Sequence, residues 1–146
     1  MIYSYQKHID SLRTVEIKLP EGANHQTLGT ELATISDTTY VFVPSGAVLP
    51  EQPIEIDVAP VTLTDALREQ IKAASSHVWL IDDQIKAKIR DQYEAEDEMY
   101  FARISIGALT GQYVMEAGEA EKVAAYGAYV ESVRQWGREQ RAALGL

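Results

Sequence analysis

Residues 54–71 read Ile54-Glu55-Ile56-Asp57-Val58-Ala59-Pro60-Val61-Thr62-Leu63-Thr64-Asp65-Ala66-Leu67-Arg68-Glu69-Gln70-Ile71, and the hydrophobic period changes inside them. Up to Pro60 apolar residues alternate with polar ones, the period of a half-buried strand. From Thr64 onward they recur every three or four residues, the period of a packed helix. Extended to the whole chain, this predicts an α+β fold. Residues 1–60 form a small antiparallel β module, and residues 61–146 a helical module of about four helices.

On the β side, residues 2–5 read as a first strand. Val15, Ile17 and Leu19 alternate with Glu16 and Lys18, and residues 28–35 form a weaker strand. Ser36-Asp37-Thr38 is the expected hairpin turn. Tyr40-Val41-Phe42-Val43 is β-branched and aromatic, the strongest strand of this half. Pro44-Ser45-Gly46 closes it, and Ile54, Ile56 and Val58 alternate once more. About sixty residues of sheet bury little surface, so the second face needs cover from the helices or from another chain.

On the helical side, Thr62 and Asp65 have capping-box spacing and Thr64 competes as N-cap. Leu67, Ile71 and Ala74 form the first stripe. Ser75-Ser76 caps a second helix carrying Val78, Ile81, Ile85 and Ile89, which stops near Tyr93. The acidic run Glu94 to Glu98 suits the positive end of a third helix, packed through Met99, Ala102 and Ile106 and ending between Gly107 and Gly111. A last helix from Glu116 to Ala143, with Val123, Tyr126, Val130 and Val133 inward, ends at Gly145. At 1.5 Å per residue it is roughly 40 Å long, so one end is expected to overhang. Gly127 and Gly137 mark a bend or a close backbone approach.

The chain has 146 residues, 46% of them hydrophobic, no cysteine and a formal net charge of −9. Disulfides and thiolate chemistry are excluded, and the absence of cysteine fits a reducing cytoplasm. The acidity disfavours a nucleic-acid partner, and no apolar run is long enough for a membrane span. His8, His25 and His77 fall in different elements without metal-ligand spacing. Asp82-Asp83 and the Glu94–Glu98 run lack the calcium-loop pattern. Gly107-x-x-x-Gly111 is not followed by Lys-Ser/Thr, so it is no phosphate loop. Ser75-Ser76-His77 is no nucleophile–base pair, because adjacent helical residues do not face each other. Neither a catalytic centre nor a cofactor is therefore expected. Trp79 is assigned to the core. Arg134, Arg138 and Arg141 follow one ridge and flank Trp136, an aromatic–arginine combination typical of interaction hot spots. These four residues are the candidate partner-binding end of the last helix.

Ile71-Lys72-Ala73-Ala74-Ser75-Ser76-His77-Val78 and Ile89-Arg90-Asp91-Gln92-Tyr93 with the acidic run resemble small proteins encoded in tail-fibre regions of tailed bacteriophages and phage-tail-like bacteriocins. Ala125-Tyr126-Gly127-Ala128-Tyr129-Val130 and the ending Trp136-Gly137-Arg138-Glu139-Gln140-Arg141-Ala142-Ala143-Leu144-Gly145-Leu146 are similar to the closing helix of tail-fibre assembly proteins. The resemblance covers somewhat more than half the chain. It implies a non-enzymatic structural subunit of the virion tail, held to tail fibre or baseplate by protein–protein contacts, and the under-covered sheet adds the expectation of a homo-oligomer. A tail-fibre assembly chaperone is the alternative it also implies. An acidic inhibitor of a host protein is a third reading, which the clustering of Glu94 to Glu98 disfavours.

Overall fold

The computed structural model describes residues 1–146. Strands β1 (Ile2–Gln6), β2 (Thr30–Ile35), β3 (Thr38–Phe42) and β4 (Ala59–Val61) form one antiparallel sheet in the order β2-β3-β1-β4. Helices α1 (Asp65–Ala74), α2 (Ser76–Gln92), α3 (Ala95–Leu109) and α4 (Glu119–Ala143) follow, so the fold is α+β with a C-terminal helical module. The chain divides into two compact units, Met1–Leu80 with Arg141–Leu146, and Ile81–Gln140. The period change at Pro60 marks the onset of helix, whereas the units divide inside α2 and near the end of α4.

In the first unit the sheet is covered on both faces. Val41 and Val43 point to one side with Tyr5, where Ile17 and Ile56 from flanking loops complete a buried cluster. Ile2 belongs to the other side, with Leu32, Ala33 and Ile71 of α1. Tyr40, Phe42, Leu67, Leu144 and Leu146 pack around that second cluster. The cover that the sheet needs thus comes from α1 and the last residues of the same chain. A bulge in β2 between Glu31 and Ala33 turns two successive residues, Leu32 and Ala33, into the core. That break in alternation is why the segment reads as a weak strand.

Two expected strands are absent as ladders. Val15, Ile17 and Leu19 do turn one face inward. Their backbone, however, pairs only through an isolated bridge between His8 and Thr14. Gln52 takes the place of a neighbouring strand: its Oε1 accepts from Lys18 N–H at 2.8 Å and its Nε2 donates to the Lys18 carbonyl at 2.9 Å. Residues 54–55 form a turn, with Ile56 N–H bonded to the Pro53 carbonyl, which leaves Ile54 98% exposed and only Ile56 buried. The strand lies further on, at β4, where Pro60 opposite Tyr3 is tolerated because β4 is an edge.

Thr64, not Thr62, caps α1, its hydroxyl accepting from Leu67 N–H at 3.3 Å. Ala74 faces solvent, and Ser75 is buried between α1 and α2 with its hydroxyl unpaired, so it does not cap α2 through its side chain. Trp79 is 57% exposed rather than core; its indole N–H reaches the Ala73 carbonyl at 3.0 Å. The chain ends in a full Schellman motif. Gly145 has φ +74°, its N–H bonds to the Ala142 carbonyl at 2.9 Å, and Leu146 N–H bonds to the Arg141 carbonyl at 3.0 Å. A Cβ at Gly145 would sit 2.7 Å from the Phe42 ring, so this stop is also a docking point against the sheet. The C-terminal end of α4 therefore does not overhang.

Ile71, fully buried in the cluster shared by β1, β2 and the chain end, should be the most sensitive position of this unit. Ile71→Ala is expected to cost about 2–5 kcal/mol, read as a lowered midpoint of urea unfolding.

Candidate functional site

The second unit is organised around aromatic rings. Tyr93, just after α2, meets Phe101 of α3 edge-on at 6.0 Å and Tyr126 of α4 at 5.1 Å between centroids. Tyr126 and Phe101 lie 5.2 Å apart, and Tyr129 completes the group 5.7 Å from Tyr93. Such pairs stabilise beyond the area they bury. They select which side of α3 turns inward: Phe101 and Ile104 are buried. The expected stripe of Met99, Ala102 and Ile106 is instead exposed, with Met99 at 73% and Ile106 at 62%.

Helix α3 starts with a capping box in which Glu94 and Asp97 exchange bonds between side chain and backbone, Glu94 N–H donating to Asp97 Oδ2 at 3.0 Å. It stops in a second Schellman motif: Gly111 has φ +71°, its N–H bonds to the Ala108 carbonyl, and Gln112 N–H bonds to the Gly107 carbonyl at 2.9 Å. This folds the following loop back onto the helix. Tyr113 Cβ comes so close to Gly107 that a side chain there would lie 2.7 Å from it.

The returning loop is locked by Glu119, the first residue of α4 and the one buried charged residue of the chain. Its carboxylate accepts from Tyr113 Oη at 2.9 and 3.0 Å, from Glu116 N–H at 2.7 Å, and from Tyr100 Oη of α3. Three donors thus reach the carboxylate, with the single Tyr113 O–H shared between its two oxygens. The bond to Glu116 N–H is half of a capping box. It gives Glu116 the role of a helix start, while Gly118 at φ +88° keeps the first helical residue at Glu119. The Tyr100 bond, followed by that from Glu116 N–H, holds the Glu119 carboxyl below its ordinary range. The carboxylate in turn pushes the Tyr113 phenol up to about 12 and raises that of Tyr100. Neutral phenols donating to an ionised carboxylate make a clamp.

Outside the clamp lies an open groove of about 680 Å³ lined by Tyr100, Arg103, Ile104, Ile106, Gly107 and Tyr113, among others. The Arg103 guanidinium sits 5.9 Å from the Tyr100 ring centre. Ile106 of the groove lining is exposed, as are Met99, Leu109 and Val114 of the same segment of chain. A larger hollow of about 910 Å³ on the sheet unit is bounded by residues 16–21, 27–28, 46–48 and 50. Its charged members are spread along the rim, with Glu16 directed to Lys7 at 3.6 Å.

Of the four residues expected at the binding end of α4, Trp136 and Arg138 make contacts within the helical unit. Trp136 is half-buried between buried Val133 and Gly137, with Lys88 Nζ of α2 4.8 Å from its ring centre. Arg138 bonds Gln135 at 2.8 Å and pairs with Glu131 at 2.5 Å on its own helix. Arg134 is exposed, and Arg141 belongs to the sheet unit. His8, His25 and His77 are exposed and separate, and no three His, Asp or Glu side chains converge. No protein-family model, curated protein or solved structure matches this chain.

Two predictions follow from this geometry. The Glu119 carboxyl is lowered in the folded state, so its contribution is present above the ordinary carboxylate pKa and lost as pH falls through the folded value. Tyr113 is raised to about 12, so its contribution is present below the ordinary phenol pKa and lost as pH rises through that value. Glu119→Gln should therefore lower the melting temperature across neutral pH, and the difference from wild type should shrink below about pH 4. Trp136→Ala should destabilise the helical unit by about 2 kcal/mol, less than a fully buried tryptophan, as measured by urea unfolding.

Proposed function

We propose that this chain is a non-enzymatic protein-binding component of a bacteriophage tail or phage-tail-like particle. It would attach to tail fibre or baseplate as a homo-oligomeric structural subunit. The observation that carries the reading is the apolar outer side of α3, where Met99, Ile106 and Leu109 stay in water beside the groove. Exposed apolar surface gathered on one helix side marks interaction sites in soluble proteins. The tail-fibre-region resemblance of residues 67–146 supplies the kind of partner. The first unit, with a sheet covered on both faces, suits a permanent subunit better than a helical chaperone that departs after assembly.

Mass spectrometry of purified particles tests the assignment. Near-stoichiometric peptides from this chain are expected. Absence from particles whose fibres fail to form without it would transfer the role to the assembly chaperone. Absence together with normal fibres would overturn both. A pull-down with the wild-type chain should capture a fibre or baseplate protein of the same particle, and capture of neither would count against the reading.

A further inference from the structure

We propose that the outer side of α3 binds the same side of α3 in a second copy of this chain, the helices running parallel. The inference deepens the oligomeric part of the reading above. It does not depend on a phage partner, so the two can fail separately.

Met99, Ala102, Ile106 and Leu109 follow one another at intervals of three, four and three residues. That is the alternation of a coiled-coil seam, with Met99 and Ile106 in the first core position of the heptad and Ala102 and Leu109 in the second. All four are exposed, Leu109 at 88%. The opposite side of the helix, through Phe101 and Ile104, already holds the unit together, so α3 carries two apolar sides and its own chain uses one.

Charge beside the seam selects the occupant and its direction. Glu98 and Arg103 flank it on opposite borders, five residues apart, the separation at which flanking residues of two parallel helices meet across a seam. Within the chain, the Arg103 guanidinium sits 5.9 Å from the Tyr100 ring centre. A parallel second copy would bring each Glu98 to the other's Arg103. Antiparallel packing of the same seam would set Arg103 against Arg103 near the twofold axis. Glu96 falls on the Arg103 border, and its counterpart in a parallel copy would be residue 91, before α3 begins.

Sedimentation equilibrium of the full chain from low-micromolar to sub-millimolar concentration should show reversible self-association. Ile106→Glu should abolish it, with the melting temperature showing that the fold persists. Glu98→Arg and Arg103→Glu should each weaken self-association by about tenfold or more. An equimolar mixture of these two variants should restore it, because only mixed parallel pairs are complementary. A monomer at every concentration would overturn the proposal, as would association that survives Ile106→Glu. A mixture no stronger than its components would overturn the parallel arrangement. Should Glu98→Arg fail to fold, Glu98→Lys provides the same charge reversal.

Discussion

A sheet whose strands are three to six residues long cannot bury enough apolar surface to stand alone, and this shortage governs the rest of the chain. One face is closed by loops that insert Ile17 and Ile56, the other by Ile71 and the returning C-terminal leucines. Gly145 is part of that closure, since its positive φ ends α4 and its missing Cβ admits Phe42. The first unit is therefore built from both ends of the chain, and residues 81–140 form a unit inserted between them.

The inserted unit repeats the device at a smaller scale. A glycine at φ +71° stops α3, a second glycine lets Tyr113 lie on the helix, and a buried carboxylate fastens the loop. In each unit a Schellman stop turns the chain so that a following side chain lands on structure already formed. The clamp also fixes one wall of the groove, because Tyr100 and Tyr113 belong to both.

Much of this was legible in the residues. The change of period announced sheet and then helix, Thr64 was among the expected caps, and the glycines at 111 and 145 stood where stops were expected. Local signals failed where the partner came from elsewhere. Val15, Ile17 and Leu19 alternate as a strand does, yet Gln52, thirty-four residues from Lys18 in sequence, supplies the hydrogen bonds. In α3 two stripes with helical spacing overlap, and the choice between them was made by the aromatic rings of Tyr93 and Tyr126. The Tyr100–Glu119–Tyr113 clamp had one readable trace, the three-residue interval from Glu116 to Glu119 that belongs to a capping box. In the Trp136–arginine ridge, Arg134 and Arg138 are exposed and Trp136 is half-buried. Its cation over the ring comes from Lys88, nearly fifty residues earlier.

The central claim is that α3 has two apolar sides with different tasks, one internal and one for another molecule. Methyl-resolved NMR of the isolated protein over a concentration series tests it position by position. The account predicts progressive shifts at Met99, Ala102, Ile106 and Leu109, while Ile104 and Val133 in the interior stay unchanged. Seam methyls that do not move, or shifts centred on the sheet unit instead, would contradict it.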